Sequence, residues 1–447
     1  MNTYDSQVAA GILEKAGFEV ISEAEDPWDC VDALGKPKIS QGADIVLMNT
    51  CSVRDHAEER VWGRLGMLGV EKREHPELVI GLMGCMVEEH REKLFKRFPF
   101  LDLMVGTRHI KELPEMIRQI LETRKQIARI KQDGISIEYS EHTKRDSGFH
   151  AWLPIMTGCN KECTFCIVPM TRGSEVSMPA QEVYREAGRL VATGVKWITL
   201  LGQNVNSYNG WGAGGGERET QEATFPELLE MLCKIDGLER ISFTTSHPQD
   251  ATEELFQVIA RNPKIGRRFH LPLQSGSDRV LKRMKRLHTY AEYKAKIDRL
   301  RELVPEISIT TDIIVGFSGE TEEDHQATKR ALQEIRFDSA FIYKYSVRPG
   351  TPAARLEDDI PSEVKASRNQ ELLKIQKAIG EEKSRALIGK TFTVFVEGRN
   401  PDNSKEQVGR MDQDRRVIFL SDKDCVGQFV RMEFTGLFYE TFCARAV

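Results

Sequence analysis

Apolar positions in the first 120 residues switch between two periods. Val8, Ile12, Leu13 and Ala16 recur at helical spacing and Gly17 follows as a stop. Residues 43–49, 78–84 and 102–106 read as three short buried strands. A charged helix from Val53 to about Glu74 separates the first two, and a helix through Ile120 follows the third. This alternation predicts a small parallel sheet flanked by helices. Such a sheet normally opens on a strand, yet this chain starts at a helix, so the first strand is missing from the pattern. Residues 123–147 turn charged and irregular and read as a linker or edge segment.

Six strand-like runs follow, at 151–156, 197–201, 240–245, 268–273, 307–315 and 337–345, with helical patterns between them. Six βα units predict a partial (β/α)6 barrel over 148–380, whose working face is the carboxyl end of the strands. Residues 361–384 read as a charged connecting helix. From Thr391 onward β-branched and aromatic residues alternate, which predicts a small antiparallel β-barrel over 381–447. The expected organisation is an α/β chain of three domains, 1–122, 148–380 and 381–447, with 123–147 as linker.

Composition adds exclusions. With 447 residues, 40% of them hydrophobic and 29% charged, the chain is long enough for two or three domains and is not broadly disordered. No run approaches the roughly 18 apolar residues that span a bilayer, and the polar start lacks a signal-peptide core. A cytoplasmic protein without membrane contact is expected. The net charge of −5 lends no bulk support to nucleic-acid binding. Nine cysteines are too sparse for a disulfide scaffold and odd in number, which favours metal or redox chemistry.

The sharpest chemical signal is Cys159-x3-Cys163-x2-Cys166, just after the first barrel strand. Three thiolates on one loop can converge on a single metal centre. Structural zinc wants four protein ligands, and no fourth Cys or His sits at matching spacing, His150 lying on the wrong side of the strand. Three thiolates suit a 4Fe–4S cluster that leaves one iron open for chemistry. This loop at the mouth of a βα barrel resembles the radical S-adenosylmethionine (SAM) superfamily, in which the open iron binds SAM and the sulfonium is cleaved to a 5′-deoxyadenosyl radical. Leu201-Gly202-Gln203-Asn204 ends the second strand, Gln274-Ser275-Gly276-Ser277 the fourth, and Ile313-Ile314-Val315-Gly316-Phe317-Ser318-Gly319-Glu320 the fifth, in the order of that superfamily's motifs.

The flanks narrow the resemblance. Asn49-Thr50-Cys51-Ser52-Val53-Arg54, Gly84-Cys85, Gly158-Cys159-Asn160-Lys161 and the β-rich end are together similar to the methylthiotransferase family, over essentially the whole chain. The segments at 202–208, Thr244-Thr245-Ser246-His247-Pro248 and 346–354 resemble its branch acting on isopentenylated adenosine in tRNA. The resemblance implies an N-terminal cluster domain, a radical SAM barrel and a C-terminal TRAM domain. It implies sulfur insertion and methylation at carbon-2 of N6-isopentenyladenosine at tRNA position 37, giving the 2-methylthio product. It further implies two 4Fe–4S clusters and SAM as both methyl donor and radical source. The barrel cluster would rest on Cys159, Cys163 and Cys166, as catalytic and metal-binding residues. Gln203, Asn204, Ser246, Gln274, Ser275, Gly316 and Phe317 would bind SAM. Cys51 and Cys85 would hold the second cluster, each directly after a strand. Its third ligand belongs to a Gly-Cys-Gln-Met-Asn motif of which only Met1-Asn2 is present, which places the ligand upstream; Cys30 is the substitute to weigh. The expected partners are the tRNA anticodon stem-loop and a one-electron donor such as flavodoxin or ferredoxin, with the chain a monomer.

Blander readings stand beside these. Cys51 and Cys85 can be ordinary buried thiols. The eight Lys/Arg between Lys264 and His288, against the single acid Asp278, form either a solvated helix face or a phosphate-contact surface. Residues 385–447 carry ten Lys/Arg and nine Asp/Glu, so charge alone does not reveal an RNA-binding domain. The substrate can instead be threonylcarbamoyl-adenosine or a ribosomal protein, and the non-enzymatic alternative is an RNA-binding adaptor with structural zinc.

Overall fold

The computed structural model describes residues 1–21, 39–40, 42–52, 55–130, 139, 142–210, 223–400 and 403–447. Cys30, the Val53 start of the second helix and much of the expected linker lie outside them. The chain forms two compact units. One comprises Met1–Asp146, Thr157–Asn160 and Cys166–Val176; the other comprises Ser147–Met156, Lys161–Phe165 and Ser177–Val447.

The first unit begins with α1 (Asn2–Lys15), β1 (Ile45–Thr50), α2 (Asp55–Glu74), β2 (Val79–Gly84), α3 (Cys85–His90) and α4 (Lys93–Arg97). It continues with β3 (Leu103–Val105), α5 (Leu113–Thr123) and β4 (Ile127–Arg129). The strands pair in parallel in the order β1-β2-β3-β4. Side chains alternate across the sheet. Val79, Met83, Leu103 and Val105 meet Val8 and Leu13 of α1 and Ile117 of α5, while Ile80, Leu82 and Met104 meet Leu65 and Leu68 of α2. Burial on both faces explains strands that are apolar throughout instead of alternating. β4 lies inside the segment read as linker or edge, and it forms the edge strand of this sheet.

After β5 (His150–Pro154) come the short β6 (Met156–Thr157), α6 (Val168–Thr171) and β7 (Val176–Ser177). The second unit then runs through α7 (Ala180–Ala192), β8 (Trp197–Leu201), α8 (Phe225–Cys233), β9 (Arg240–Phe243), α9 (Glu253–Arg261) and β10 (Arg268–His270). It goes on with α10 (Asp278–Arg283), α11 (Tyr290–Leu303), β11 (Ser308–Val315), α12 (Glu322–Ile335), β12 (Ser339–Lys344) and α13 (Ser362–Arg385). β5-β8-β9 and β10-β11-β12 are parallel triplets, joined where Gly266 N donates to Ile241 O at 2.8 Å. Local chemistry starts the helices: Thr224 with Glu227, Thr289 with Glu292, and Thr321 with Asp324 close reciprocal caps. α13 is more than the connector the sequence suggests. Its Asn369 donates to Ile342 O at 2.8 Å and its Gln376 to Phe337 O at 2.9 Å, so it packs along β12.

β13 (Thr391–Asn400), β14 (Asn403–Met411), β15 (Arg416–Leu420), β16 (Phe429–Phe438) and β17 (Thr441–Ala446) close into a barrel in the order β13-β14-β15-β17-β16. Its interior is filled by Val394, Val396, Met411, Val417, Phe419, Met432, Phe434 and Phe442. The expectation of an antiparallel barrel needs one correction, since β15 and β17 pair in parallel to close it.

This barrel docks at the amino ends of the central strands. Arg240, the first residue of β9, pairs with Asp412 and donates to Arg410 O at 3.2 Å. Its guanidinium also lies 5.2 Å from the Trp197 ring and 4.9 Å from that of Phe429. Burial pulls its pKa down, and the Asp412 carboxylate opposes that pull.

In the same region most of the cations of residues 264–288 are engaged within the protein. Lys264 donates to Ile235 O, Arg267 pairs with Glu306, Arg268 with Asp414, Arg279 with Asp324 and Lys285 with Glu162. Arg283 donates to Ser318 O at 3.0 Å. Most of these partners lie far outside the stretch, where a local count of acids does not find them.

The Arg240–Asp412 pair makes an asymmetric prediction. Asp412→Asn leaves a buried guanidinium without its carboxylate and should cost about 2 kcal/mol, whereas Arg240→Met leaves only a half-exposed carboxylate and should cost less than about 1 kcal/mol. Urea denaturation of both variants checks this, and the reverse order refutes it.

Candidate active site

Because the central strands are parallel, the chain leaves each of them at one edge, and the candidate residues follow those exits. Gln203 and Asn204 follow β8, Ser246 follows β9, Gln274 follows β10 and Gly316 follows β11. Asn204 is buried; its Nδ2 donates to Asp250 Oδ2 at 2.8 Å, and Lys161 Nζ reaches Asp250 Oδ1 at 2.8 Å. Asn206 clamps the next turn, donating to His247 O at 3.0 Å and accepting from His247 N at 2.9 Å.

Two residues here, Thr245 at φ 64° and Gln274 at φ 73°, hold left-handed backbone. A β-branched threonine resists that conformation, and such strain of about 1–3 kcal/mol collects where surrounding structure dictates a functional geometry. Thr245 is tied down through its Oγ1, which donates to Gly202 O at 2.6 Å. Gln274 is held between Asp312 O, to which its N–H donates at 2.8 Å, and Ile314 N, from which its carbonyl accepts at 2.9 Å.

Several buried polar atoms at this edge find no partner within the protein: Asn204 Oδ1, Ser246 Oγ, His247 Nε2, Gln274 Oε1, Arg286 Nε and both ring nitrogens of His288. Each such group costs about 1–3 kcal/mol if nothing answers it, so their concentration fits an edge built to receive a polar ligand. SAM, with its amino, carboxylate, ribose and adenine groups, matches that donor and acceptor set. The two imidazoles lie 6.2 Å apart, edge to face. Burial, helped by the nearby Arg286 cation, pushes His247 down to about 2 and His288 down to about 3, so both stay neutral.

Not every candidate faces this edge. Ser275 is fully buried, with its Oγ 3.2 Å from Thr328 Oγ1 and accepting from Ser277 N at 3.2 Å, so its side chain braces α12. Phe317 is also fully buried, against Tyr345 at 4.8 Å between ring centroids and beside Phe165, and serves as packing. Gly316 (φ 69°) has a real backbone reason, since a Cβ there would stand 2.4 Å from Lys365 Cγ.

The cysteine loop is set by close backbone approach. Gly158 has φ 75°, and a Cβ on it would fall 2.0 Å from Ser174 O. Cys159 N donates to Gly173 O at 3.2 Å, and both Cys159 and Cys166 are half-buried. Cys163 is buried, with Arg286 Nη1 3.4 Å from its Sγ. In the sequence Arg286 carries no signal beyond its place in a basic run.

In the first unit the structure brings Cys51 and Cys85 to neighbouring strand ends. They directly follow β1 and β2, whose last residues, Thr50 and Gly84, are register partners. Gly84 has φ 96°, and a Cβ there would strike Thr50 O at 2.5 Å. Near Cys85 lies Arg172, buried and paired with Asp5 at 2.6 Å. Burial alone disfavours that guanidinium's charge, but the Asp5 carboxylate and the Cys85 sulfur outweigh it and raise the pKa. The Met1 amino group, whose pKa burial lowers, feels both Cys51 and Cys85. Arg172 and Asp5 carry no sequence signal, because 167 residues separate them along the chain. Among the described residues, one group of three presents ligand atoms within 4.8 Å of one another: Glu58, Glu89 and His90.

A partial βα barrel with a three-cysteine loop after its first strand and orphaned polar groups at its strand ends is a radical SAM enzyme. The Radical SAM superfamily model matches residues 153–332, and that of the uncharacterized protein family UPF0004 matches residues 34–106. The fold is similar to that of the radical S-adenosylmethionine methyltransferase TsrM from Kitasatospora setae, with a TM-score of 0.55 and 16% identity over 78% of this chain and 72% of that one. Much more similar in sequence is a tRNA-2-methylthio-N(6)-dimethylallyladenosine synthase of Carboxydothermus hydrogenoformans, 40% identical over 97% of this chain and 94% of the relative. Proteins of the same name from Dictyoglomus thermophilum and Pelotomaculum thermopropionicum are each 42% identical, over 97% and 98% of this chain and 93% of each relative. The chain belongs to the tRNA-2-methylthio-N(6)-dimethylallyladenosine synthase family.

The neutral histidines carry a stability prediction. The unfolded chain binds their protons near pH 6.5, while the folded chain refuses them until far lower pH. Their contribution is therefore present above pH 6.5 and is lost as pH falls from there toward about 3, at up to about 1.4 kcal/mol per pH unit for each histidine. In urea titrations of the metal-free chain from pH 6.5 to 4.5, His288→Asn should flatten the fall by that slope. An unchanged slope refutes the assignment.

Proposed function

We propose that this chain, a radical SAM methylthiotransferase, inserts sulfur and a methyl group at carbon-2 of N6-isopentenyladenosine at position 37 of tRNA. The observation that carries this is near-full-length identity of about 40% to synthases named for that product, combined with a strand-end edge suited to SAM. Cys159, Cys163 and Cys166 would hold a 4Fe–4S cluster, three thiolates leaving one iron open for SAM. Bound together, the cluster and SAM supply a carbon-centred radical able to remove a hydrogen that polar chemistry cannot take.

The chain's own residues position and shield. Asn204, Ser246 and Gln274 would offer their unanswered oxygens to SAM, with Gln203 next to Asn204 in the same strand-end segment. Gly316 lets the backbone pass where a side chain would collide, and Phe317 supports the strand end from beneath. The neutral His247 and His288 offer polar atoms without adding charge. An adenine in an anticodon loop is already partly unstacked, so drawing it into such a site costs about a few kcal/mol.

Cys51 and Cys85 supply ligands to a second 4Fe–4S cluster, which serves sulfur transfer. Their placement at adjacent strand ends, with the buried Arg172 cation beside Cys85, supports a thiolate site over two ordinary core thiols. A small one-electron donor of the flavodoxin or ferredoxin class completes the reaction, with the chain acting as a monomer.

Two products measured from one reaction test this reading: 5′-deoxyadenosine and methylthiolated adenosine, with isopentenylated anticodon-loop RNA as substrate. Cys163→Ala should abolish both. Cys51→Ala or Cys85→Ala should leave 5′-deoxyadenosine formation in place and remove the methylthio product. Normal 5′-deoxyadenosine from Cys163→Ala sinks the barrel-cluster assignment, and normal methylthio product from Cys51→Ala returns that residue to the core thiols.

A further inference from the structure

Arg286 sits at a sharp turn after α10. Lys285 before it adopts φ 57°, and Arg286 N donates to Leu281 O at 2.8 Å, which fixes the turn. The same turn grips the cysteine loop from the other side. Thr164 N donates to Met284 O at 3.0 Å and Thr164 Oγ1 to Arg283 O at 3.0 Å. Between these anchors the guanidinium runs inward: Nη1 lies 3.4 Å from Cys163 Sγ and Nη2 donates to Pro272 O at 2.7 Å. The residue is only 7% exposed, and no carboxylate pairs with it among the described residues.

A buried cation without a counter-ion is costly, by several kcal/mol in ordinary circumstances. The sulfur in front of it is the natural answer. A 4Fe–4S cluster in its 2+ state on three thiolates carries a net charge of −1, and one electron from an external reductant takes it to −2 with no proton involved. A fixed cation at one thiolate favours the more negative state, and hydrogen bonds to ligand sulfurs are among the levers that set cluster potentials. Proximity does the rest, since the anchored turn spares the arginine any rearrangement.

We propose that Arg286 is a positioning residue that donates to the Cys163 sulfur and eases one-electron reduction of the cluster on the Cys159–Cys166 loop. This rests on the assignment of that cluster under the proposed function.

The test uses the full-length chain with clusters reconstituted anaerobically, comparing wild type, Arg286→Lys and Arg286→Gln. Iron and sulfide are counted, and dithionite titrations are followed by electron paramagnetic resonance, the barrel cluster being recognised by its response to added SAM. Arg286→Gln should load iron normally while its reduction equilibrium falls about tenfold, equivalent to 59 mV for one electron. Arg286→Lys, which keeps the charge, should stay within about threefold of wild type. A loaded Arg286→Gln whose equilibrium matches wild type overturns the proposal. If Arg286→Gln fails to load, Arg286→Lys decides: loading with near-wild-type reduction supports the role, and any other result overturns it in favour of a purely structural one. A wild-type chain with no SAM-responsive cluster would instead overturn the cluster assignment.

Discussion

A parallel sheet sends every strand out at the same edge, and a polar side chain placed there must be answered by something. That constraint organises the second unit. Thr245 and Gln274 accept left-handed backbone to turn the chain at the edge, and Asn206 and Asp250 are spent holding neighbours in place. The oxygens of Asn204, Ser246 and Gln274 then remain for a ligand. A rigid frame with unanswered polar atoms is preorganised: the protein has met the cost of arranging them before the ligand arrives. Neutral histidines fit the same logic, adding hydrogen-bonding capacity beside Arg286 without a second cation.

The opposite edge of the same sheet handles charge differently. Arg240 and Arg268 open β9 and β10 and are answered by Asp412 and Asp414 on the turn between β14 and β15. Arg268, one of the cations in the basic run of the linear sequence, is thus engaged in docking the small barrel. RNA affinity cannot be assigned by counting lysines and arginines when their partners come from another element.

In the first unit, pairing of β1 with β2 places two cysteines side by side without any loop having to reach. Gly84 is needed there because a side chain would displace the Thr50 carbonyl that β1 presents. Arg172 and Asp5 then bury a charge pair beside Cys85. Buried pairs of this kind contribute little net stability.

Local physics was legible in the sequence. The apolar periods located both α/β sheets and the small barrel, and the cysteine spacing with its strand-end motifs pointed to the chemistry. These depend on backbone geometry over a few residues, which the residue types themselves dictate. The edge strand β4 and the parallel closure of β15 on β17 were less visible, because short strands take their pairing from what the rest of the chain leaves open. Side-chain direction was not legible at all. Gln274 and Ser275 are adjacent in one motif, yet the first keeps an unanswered oxygen at the edge and the second braces α12. Arg286 and Cys163 are 123 residues apart, and Arg172 and Asp5 are 167 apart. Only the closed tertiary structure brings such groups within reach, because a charge or hydrogen bond is satisfied by whatever stands beside it in space, whatever its place along the chain.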